Sequence, residues 1–250
     1  MQAFSPVPSP LLPIKVWRDL SGWKSAPIGV ALGFPSLSPL QSPMMPTHAA
    51  ELLSLLARLS FKLGQFTLSS GATSDYYIDC RITTLHADGA RYAGEAILDL
   101  LDENSIQAEA VGGLTLGADP IVSAVSIASG LRALEWLQRD QEYGKLHGFL
   151  VRKAEKSHGA ARRIEGFSRP GAPVVIVDDV CTTGSSTIAA IQAAQEAGMI
   201  VAAVVCIVER EEAHGRPAVE SAVGAAPFLR LFTAAQVRAE HLNQLSRPSA

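Results

Sequence analysis

The 250-residue sequence predicts an α/β fold in which a parallel sheet is flanked by helices. Residues 174–177 and 200–208 are apolar runs rich in β-branched residues, the composition of strands that are buried on both faces. These runs alternate with segments of helical character, and such alternation favours a parallel sheet with right-handed crossovers. In sheets of this kind, binding sites lie at the carboxyl ends of the strands.

Capping residues and apolar spacing predict the elements of the first half. Thr47 can cap a helix whose apolar residues fall on one face: Leu52, Leu55, Leu56 and Leu59. The elements predicted to follow are a hairpin-like segment over 64–81, a helix over 88–102, a short strand at 110–111, a Gly-rich turn over 112–117 and a helix over 119–131.

The second half alternates more regularly. It predicts strands over 149–151, 174–178, 200–208 and 228–232, and helices over 185–197 and 234–245. Arg152, Asp178 and Arg210 each lie at the carboxyl end of one of these strands. Because those ends meet at one edge of a parallel sheet, we expect the three side chains to converge on one crevice.

Residues 174–187, VVIVDDVCTTGSST, carry the strongest functional signal. The strand ends in Asp178 and Asp179, and a turn of small hydroxyl residues leads into a helix. Backbone N–H groups at a helix N-terminus, together with the helix dipole, favour an anion such as a phosphate group. Paired carboxylates suit sugar hydroxyls or a magnesium-bound substrate. The alternative is a buried strand with an acidic end and a Ser/Thr-rich cap, but the complete pattern favours a phosphosugar site.

This segment resembles the phosphoribosyl-pyrophosphate (PRPP) motif of the type I phosphoribosyltransferases. Three further segments resemble parts of the orotate phosphoribosyltransferases: FTLSSGATSDYYIDCR at 66–81, GGLTLGADP at 112–120 and FLVRKAEKSHGAARRIEG at 149–166. The four segments occur in the family's order, and the resemblance covers residues 47–245. The basic loop makes it specific to orotate enzymes.

The resemblance implies a type I phosphoribosyltransferase fold with a small hood formed by the N-terminal and C-terminal segments. It implies transfer of the phosphoribosyl group of PRPP to orotate, giving orotidine 5′-phosphate and pyrophosphate in UMP biosynthesis. Orotate N1 would attack ribose C1 while pyrophosphate leaves, without a protein nucleophile. The resemblance further implies Mg²⁺, held mainly through the substrate and not by a protein metal site, and a homodimer in which the mobile loop reaches the neighbouring site.

The resemblance also assigns roles to individual residues. Lys156, Asp178 and Asp179 would be catalytic, and Thr182 and Arg210 would bind orotate. The residues that would bind PRPP are Arg152, Lys153, Lys156, His158, Asp178, Asp179, Val180, Cys181, Thr182, Thr183, Gly184, Ser185 and Ser186. From the residues alone, the alternative for the basic run 152–163 is a solvated loop, which its position directly after an apolar strand makes less favourable. An arginine between two glutamates, such as Arg210, is normally a surface salt-bridge partner.

The sequence departs from many orotate enzymes at two positions where they carry a lysine. Ser69 occupies one of them, and residues 112–120 contain no lysine at all. By resemblance, pyrophosphate would then be held there by backbone N–H groups and magnesium.

Composition excludes several functional classes. A net charge of −3 argues against nucleic-acid binding, and the longest apolar run, ten residues from Met199, is too short to span a bilayer. Cys80, Cys181 and Cys206 lack metal-ligand spacing and favour a reducing, cytoplasmic compartment. Cys181 is interpreted as a small residue of the phosphate turn.

Residues 1–46 differ from the remainder, which predicts a catalytic domain over 47–250. They contain nine of the fifteen prolines and four charged residues, so we expect a disordered extension. A transit peptide and a start codon assigned upstream of Met44 and Met45 stay open as explanations. Two rival functions also stay open: a phosphoribosyltransferase for another base, and a non-catalytic PRPP-sensing regulator.

Overall fold

The structure, a computed structural model, describes residues 48–67, 73–153 and 163–247. The predictions for residues 1–46, for the cap at Thr47 and for Ser69, Lys156 and His158 lie outside these ranges.

Seven helices and eight strands make up the described chain. The helices are α1 (His48–Leu55), α2 (Arg81–Thr84), α3 (Ala87–Glu103), α4 (Asp119–Leu137), α5 (Ser185–Glu196), α6 (Arg216–Val223) and α7 (Ala234–Ser246). The strands are β1 (Phe61–Thr67), β2 (Thr73–Ile78), β3 (Ala110–Leu114), β4 (His147–Val151), β5 (Ile164–Gly166), β6 (Pro173–Cys181), β7 (Ile200–Glu209) and β8 (Phe228–Thr233). A π-helical turn over Leu56–Ser60 and a 3₁₀ turn over Glu211–Ala213 complete them.

Six strands form the central sheet in the order β5-β4-β3-β6-β7-β8. All neighbouring pairs are parallel except β4 and β5, which are antiparallel at one edge. Strands β1 and β2 form a separate antiparallel pair. The predicted α/β fold with a mostly parallel sheet flanked by helices is therefore confirmed.

Strand β6 lies in the interior of the sheet, between β3 and β7, and both of its faces are buried. Val175 and Val177 belong to the apolar cluster that includes α3 and α4, whereas Val174 and Ile176 belong to the cluster that includes α5. Each of these side chains is at most 1% exposed, and burying one contributes about 1.5–3 kcal/mol. The site-bearing strand is thus fixed from both sides.

The N-terminal and C-terminal segments pack against each other, as the predicted hood requires. The His241 ring nitrogen Nδ1 lies 2.7 Å from the Ala57 carbonyl oxygen, and the His241 ring packs on Phe61 at 5.0 Å between centroids. The Gln244 amide donates to the Ser54 carbonyl at 3.0 Å. These contacts hold α7 against α1 and the π-helical turn.

Strand β6 continues past its predicted end at Asp178. Val180 and Cys181 pair with Val208 and Glu209 of the long strand β7, which carries the ladder three residues further. Cys181 is consequently a strand residue and 1% exposed. Its interpretation as a residue of the phosphate turn is wrong, since that turn begins one residue later.

Other differences concern elements near the edges. Helix α4 extends to Leu137, beyond the predicted end at residue 131, and neither β5 nor α6 was predicted. Strand β5 contains three residues and is held by its pairing with β4, so no sequence period marks it.

Candidate active site

An open cleft of about 610 Å³ lies at the carboxyl ends of the parallel strands. It is lined by Thr67, Tyr77, Ile78, Asp79, Arg81, Leu114, Thr115, Leu116, Gly117, Lys153, Asp178, Asp179, Val180, Thr182, Thr183, Gly184, Ser185, Ser186 and Arg210. The structure therefore brings together most of the predicted site residues that it describes.

The turn between β6 and α5 provides a cradle for an anion. Gly184 has φ of +78°, and a Cβ there would lie 2.5 Å from a methyl group of Val219, so the position requires glycine. The first hydrogen bond of the helix runs from Ile188 N–H to Gly184 O at 2.8 Å. The amides of residues 185–187 precede that bond, which leaves them to bind other acceptors at the positive end of the helix.

The paired aspartates occupy different surroundings. Asp178 is 7% exposed, and its Oδ2 accepts a hydrogen bond from the Thr187 hydroxyl at 2.5 Å. Burial raises the pKa of Asp178 to about 7, with a further rise from the Asp179 charge, although the Thr187 hydrogen bond acts against it. Burial also raises the pKa of Asp179. A Cβ on Gly117 would lie 2.5 Å from Asp179 Oδ1, so this carboxylate faces the loop after β3.

Arg210 is buried and tightly held, not a solvated surface residue. Its side chain is 9% exposed, and its Nε lies 2.9 Å from Glu212 Oε1 and 3.0 Å from the Tyr76 hydroxyl. Its Nη2 donates to Ser74 Oγ at 3.2 Å, and the guanidinium carbon lies 4.5 Å from the centre of the Tyr76 ring. Burial and the hydrogen bond to Glu212 raise the pKa of Tyr76 to about 12, so this hydroxyl stays protonated.

The sequence predictions missed an ion pair in the cleft. Asp79 Oδ1 accepts from Arg81 Nε at 2.8 Å, and Asp79 Oδ2 accepts from Arg81 Nη2 at 2.8 Å. The signal was present as the charged residues of the stretch YYIDCR, directly after an apolar strand. Neither charge belongs to the site that the sequence predicts.

The basic loop contributes Lys153 to the cleft lining. The preceding Arg152 does not line the cleft, since its Nη1 donates to Glu165 of β5 at 3.4 Å. Cys181 does not line it either, because its side chain is buried beneath the turn. Lys156 and His158 lie outside the described residues.

No family model matches the chain. It is 43% identical over 195 residues to an orotate phosphoribosyltransferase of Thermosynechococcus vestitus, covering 78% of this chain and 94% of that protein. It is 39% identical over 165 residues to an orotate phosphoribosyltransferase of Rhodopirellula baltica, covering 64% of this chain and 80% of that protein.

Solved structures give the same similarity. The crystal structure of Mycobacterium tuberculosis H37Rv orotate phosphoribosyltransferase with Fe(III) dicitrate has a TM-score of 0.62 and 34% identity, over 77% of this chain and 99% of that one. A structure of the M. tuberculosis protein in complex with PRPP has a TM-score of 0.57 and 28% identity, over 78% of this chain and 93% of that one.

Proposed function

The chain belongs to the orotate phosphoribosyltransferase family, and on that premise we propose that its cleft transfers the phosphoribosyl group of PRPP to orotate. The products are orotidine 5′-phosphate and pyrophosphate, in pyrimidine nucleotide synthesis. The observation that carries this proposal is the meeting of a phosphate cradle, two aspartates and a held arginine in one cleft.

Each part of the cleft suits one part of the substrates. The turn over residues 182–186 would bind the 5′-phosphate, and Asp178 and Asp179 would accept hydrogen bonds from the ribose hydroxyls. Arg210 would bind the orotate carboxylate through the guanidinium edge that Glu212 and Ser74 leave open. A bidentate pair of this kind selects for an acid over an uncharged base.

The chemistry needs positioning and charge more than a reactive side chain. The bond from orotate N1 to ribose C1 forms as the bond from C1 to the pyrophosphate oxygen breaks, and the N1 proton passes to solvent or to the departing pyrophosphate. Ordering both substrates converts this encounter into an effectively unimolecular step. Cations from the basic loop, with Lys156 as the proposed catalytic residue, would stabilise the charge that collects on pyrophosphate.

We propose Mg²⁺ as the cofactor, bound mainly through the substrate. Among residues 48–67, 73–153 and 163–247, no group of three or more His, Cys, Asp or Glu side chains could hold a metal ion. Asp178 and Asp179 do supply the oxygen donors that Mg²⁺ prefers. When bound, Mg²⁺ would neutralise charge on the pyrophosphate oxygens.

We also propose a homodimer, supported by an exposed apolar stripe on α4. Ile127, Leu131 and Leu134 repeat at helical spacing, and each is more than half exposed. Leu137, the last residue of α4, and Leu116, in the loop that precedes α4, are also exposed. Contiguous exposed apolar patches mark protein–protein contact sites, whereas single exposed leucines do not.

The dimer has two tests. Leu131→Glu should convert dimers to monomers in sedimentation equilibrium, whereas Leu245→Glu, an exposed leucine of α7, should not. A loop variant, Lys156→Ala with His158→Ala, mixed with an Asp178→Asn variant, should regain activity if one loop serves the neighbouring site. Purified hybrids without activity would indicate sites built within one chain.

A cytoplasmic location is a further proposal. Cys80, Cys181 and Cys206 are free and buried, as expected where thiols stay reduced. Within the described ranges, no helix is long and apolar enough to cross a bilayer.

The function is tested by mixing the full chain with PRPP, Mg²⁺ and orotate and following orotate absorbance. We expect loss of orotate that depends on PRPP, with stoichiometric release of pyrophosphate. Turnover of adenine or another base in place of orotate would favour the rival phosphoribosyltransferase. Binding of PRPP without turnover of any base would favour the regulator.

A further inference from the structure

We propose that Arg81, held by Asp79, binds the pyrophosphate group of PRPP. This rests on the proposed function and adds a residue to it, at the start of α2 and outside the phosphate turn and the basic loop.

The location of Arg81 is the first support. Arg81 lines the cleft together with residues 114–117 of the loop after β3. Asp179 lies against Gly117 of that loop. Burial raises the pKa of Asp179, whereas the backbone N–H of Val180 and the charge of Arg81 lower it. Arg81, Asp179 and Gly117 are therefore neighbours. Asp178, in contrast, is bonded to Thr187 on the side of the phosphate turn.

The orientation of the guanidinium is the second support. Asp79 accepts from Nε and Nη2, both at 2.8 Å, which fixes the plane of the group. Among the described residues, Nη1 has no hydrogen-bond acceptor, and the side chain is 47% exposed. A fixed, exposed guanidinium edge has the geometry that binds phosphate oxygens in a bidentate way.

The charge balance of the cleft is the third support. The described lining holds three carboxylates, Asp79, Asp178 and Asp179, and three cations, Arg81, Lys153 and Arg210. Arg210 is assigned to the orotate carboxylate, and residues 114–117 carry no charge. A pyrophosphate placed beside Asp179 would meet a like charge, and Arg81 is the neighbouring cation that offsets it.

A purely structural role explains less. Asp79 Oδ1 also accepts from the backbone N–H of Arg81 at 3.1 Å, so the carboxylate caps the start of α2 whatever side chain follows. Helix capping therefore does not account for an arginine at position 81. A surface ion pair of this exposure would add little stability.

The test compares ligands that contain pyrophosphate with one that does not. Isothermal titration gives the Kd of PRPP, pyrophosphate and ribose 5-phosphate for the wild type, Arg81→Gln and Arg81→Lys, each in Mg²⁺. Arg139→Gln is the control, an exposed arginine beyond the end of α4. For Arg81→Gln we expect PRPP and pyrophosphate to bind about 10- to 100-fold more weakly, with ribose 5-phosphate unchanged. For Arg81→Lys we expect intermediate Kd values for PRPP and pyrophosphate, since lysine keeps the positive charge but lacks the paired N–H donors of the guanidinium.

A second variant tests the role of Asp79. Asp79→Asn keeps the helix cap but weakens the hold on the guanidinium, so pyrophosphate should bind more weakly while ribose 5-phosphate is unaffected.

Equal weakening of ribose 5-phosphate in Arg81→Gln, or an unchanged Kd for pyrophosphate, overturns the inference. A wild type that binds no PRPP removes the proposed function and this inference with it. Normal wild-type binding with an indifferent Arg81→Gln removes the inference alone.

Discussion

The Asp178 carboxylate follows four residues of β6 that are each at most 1% exposed. Apart from the Thr187 hydroxyl and the Asp179 backbone N–H, its surroundings offer little solvation, and burial therefore raises its pKa to about 7. The motif VVIVDD predicted that the strand ends at the two aspartates, because charged side chains seldom continue a buried apolar strand. The sequence did not predict that the strand continues beyond them and keeps Asp178 covered.

Asp178 should make stability depend on pH. Its folded pKa, about 7, exceeds its ordinary value of 3.8, so the folded state holds the proton more tightly and loses stability as pH rises between those values. Relative to Asp178→Asn, the wild type should lose up to about 1.4 kcal/mol of unfolding free energy per pH unit in that window. Urea unfolding from pH 4.5 to 8 measures this difference. Glu103→Gln, at the exposed end of α3, is the control, and a pH-independent difference for Asp178→Asn would contradict the prediction.

Arg210 should control orotate binding with little effect on PRPP. Arg210→Gln removes a charge-assisted pair, which should raise the KM for orotate roughly 10- to 100-fold. Steady-state kinetics with each substrate varied in turn measures the effect. Arg238→Gln, which removes a surface ion pair with Asp75, should change neither constant. An equal rise in both KM values for Arg210→Gln would indicate a damaged fold instead.

The burial of Arg210 could not be predicted from its local sequence. The stretch ERE is typical of a solvated face, and the partners Ser74 and Tyr76 lie more than 130 residues away in sequence. Only the tertiary structure, which brings Ser74 and Tyr76 of β2 to the residue that follows β7, makes this arginine part of the site.

At the scale of elements, α6 and the turn before it support the phosphate cradle. A Cβ on Gly215 would overlap the Thr182 carbonyl oxygen and lie 2.9 Å from the Gly184 nitrogen. The chain between β7 and α6 therefore packs directly against the backbone of the turn. Val219 and Val223 of α6 are buried at helical spacing, so the sequence pattern of this segment is compatible with a helix.

Gly215→Ala should therefore weaken binding of the 5′-phosphate. The methyl group must displace backbone atoms of the turn, so we expect the Kd of ribose 5-phosphate to rise about tenfold or more, on the scale of losing one hydrogen bond to a charged group. Pyrophosphate binding should change little. Gly144→Ala is the control, since a Cβ there meets nothing within 4 Å. An unchanged Kd for ribose 5-phosphate in a folded Gly215→Ala protein would show that the turn adapts to the methyl group.

At the scale of the whole molecule, the order of strands and helices was largely predictable because apolar runs and caps are local. The extent and pairing of individual strands were less predictable. Strand β5 depends on a partner, and β6 extends beyond its predicted end because β7 is long enough to pair with it. The sheet edge that collects the motifs was predictable from topology, but the ion pair of Asp79 and Arg81 was not.

The proposed catalytic domain over 47–250 should function without the preceding residues. A chain that begins at Met45 keeps every described element and all the cleft residues. We expect the same melting temperature, dimerisation and kcat/KM for orotate as in the full chain, because residues 1–44 are rich in proline and poor in charge. A fall in Tm of about 4 °C or more, equivalent to about 1 kcal/mol, would identify the extension as a structural arm.

The opposite surroundings of Asp178 and Asp179 divide the cleft along β6. Asp178 is joined to α5 through Thr187, whereas Asp179 faces Gly117 on the side of α4. In the proposed binding mode the substrate crosses the end of β6, with its 5′-phosphate on the side of α5 and its pyrophosphate on the side of α4. The cleft would then select ligands by the separation of their two anionic groups. A sugar phosphate with only one of these groups would occupy one side of the cleft and leave the other side open to a second ligand.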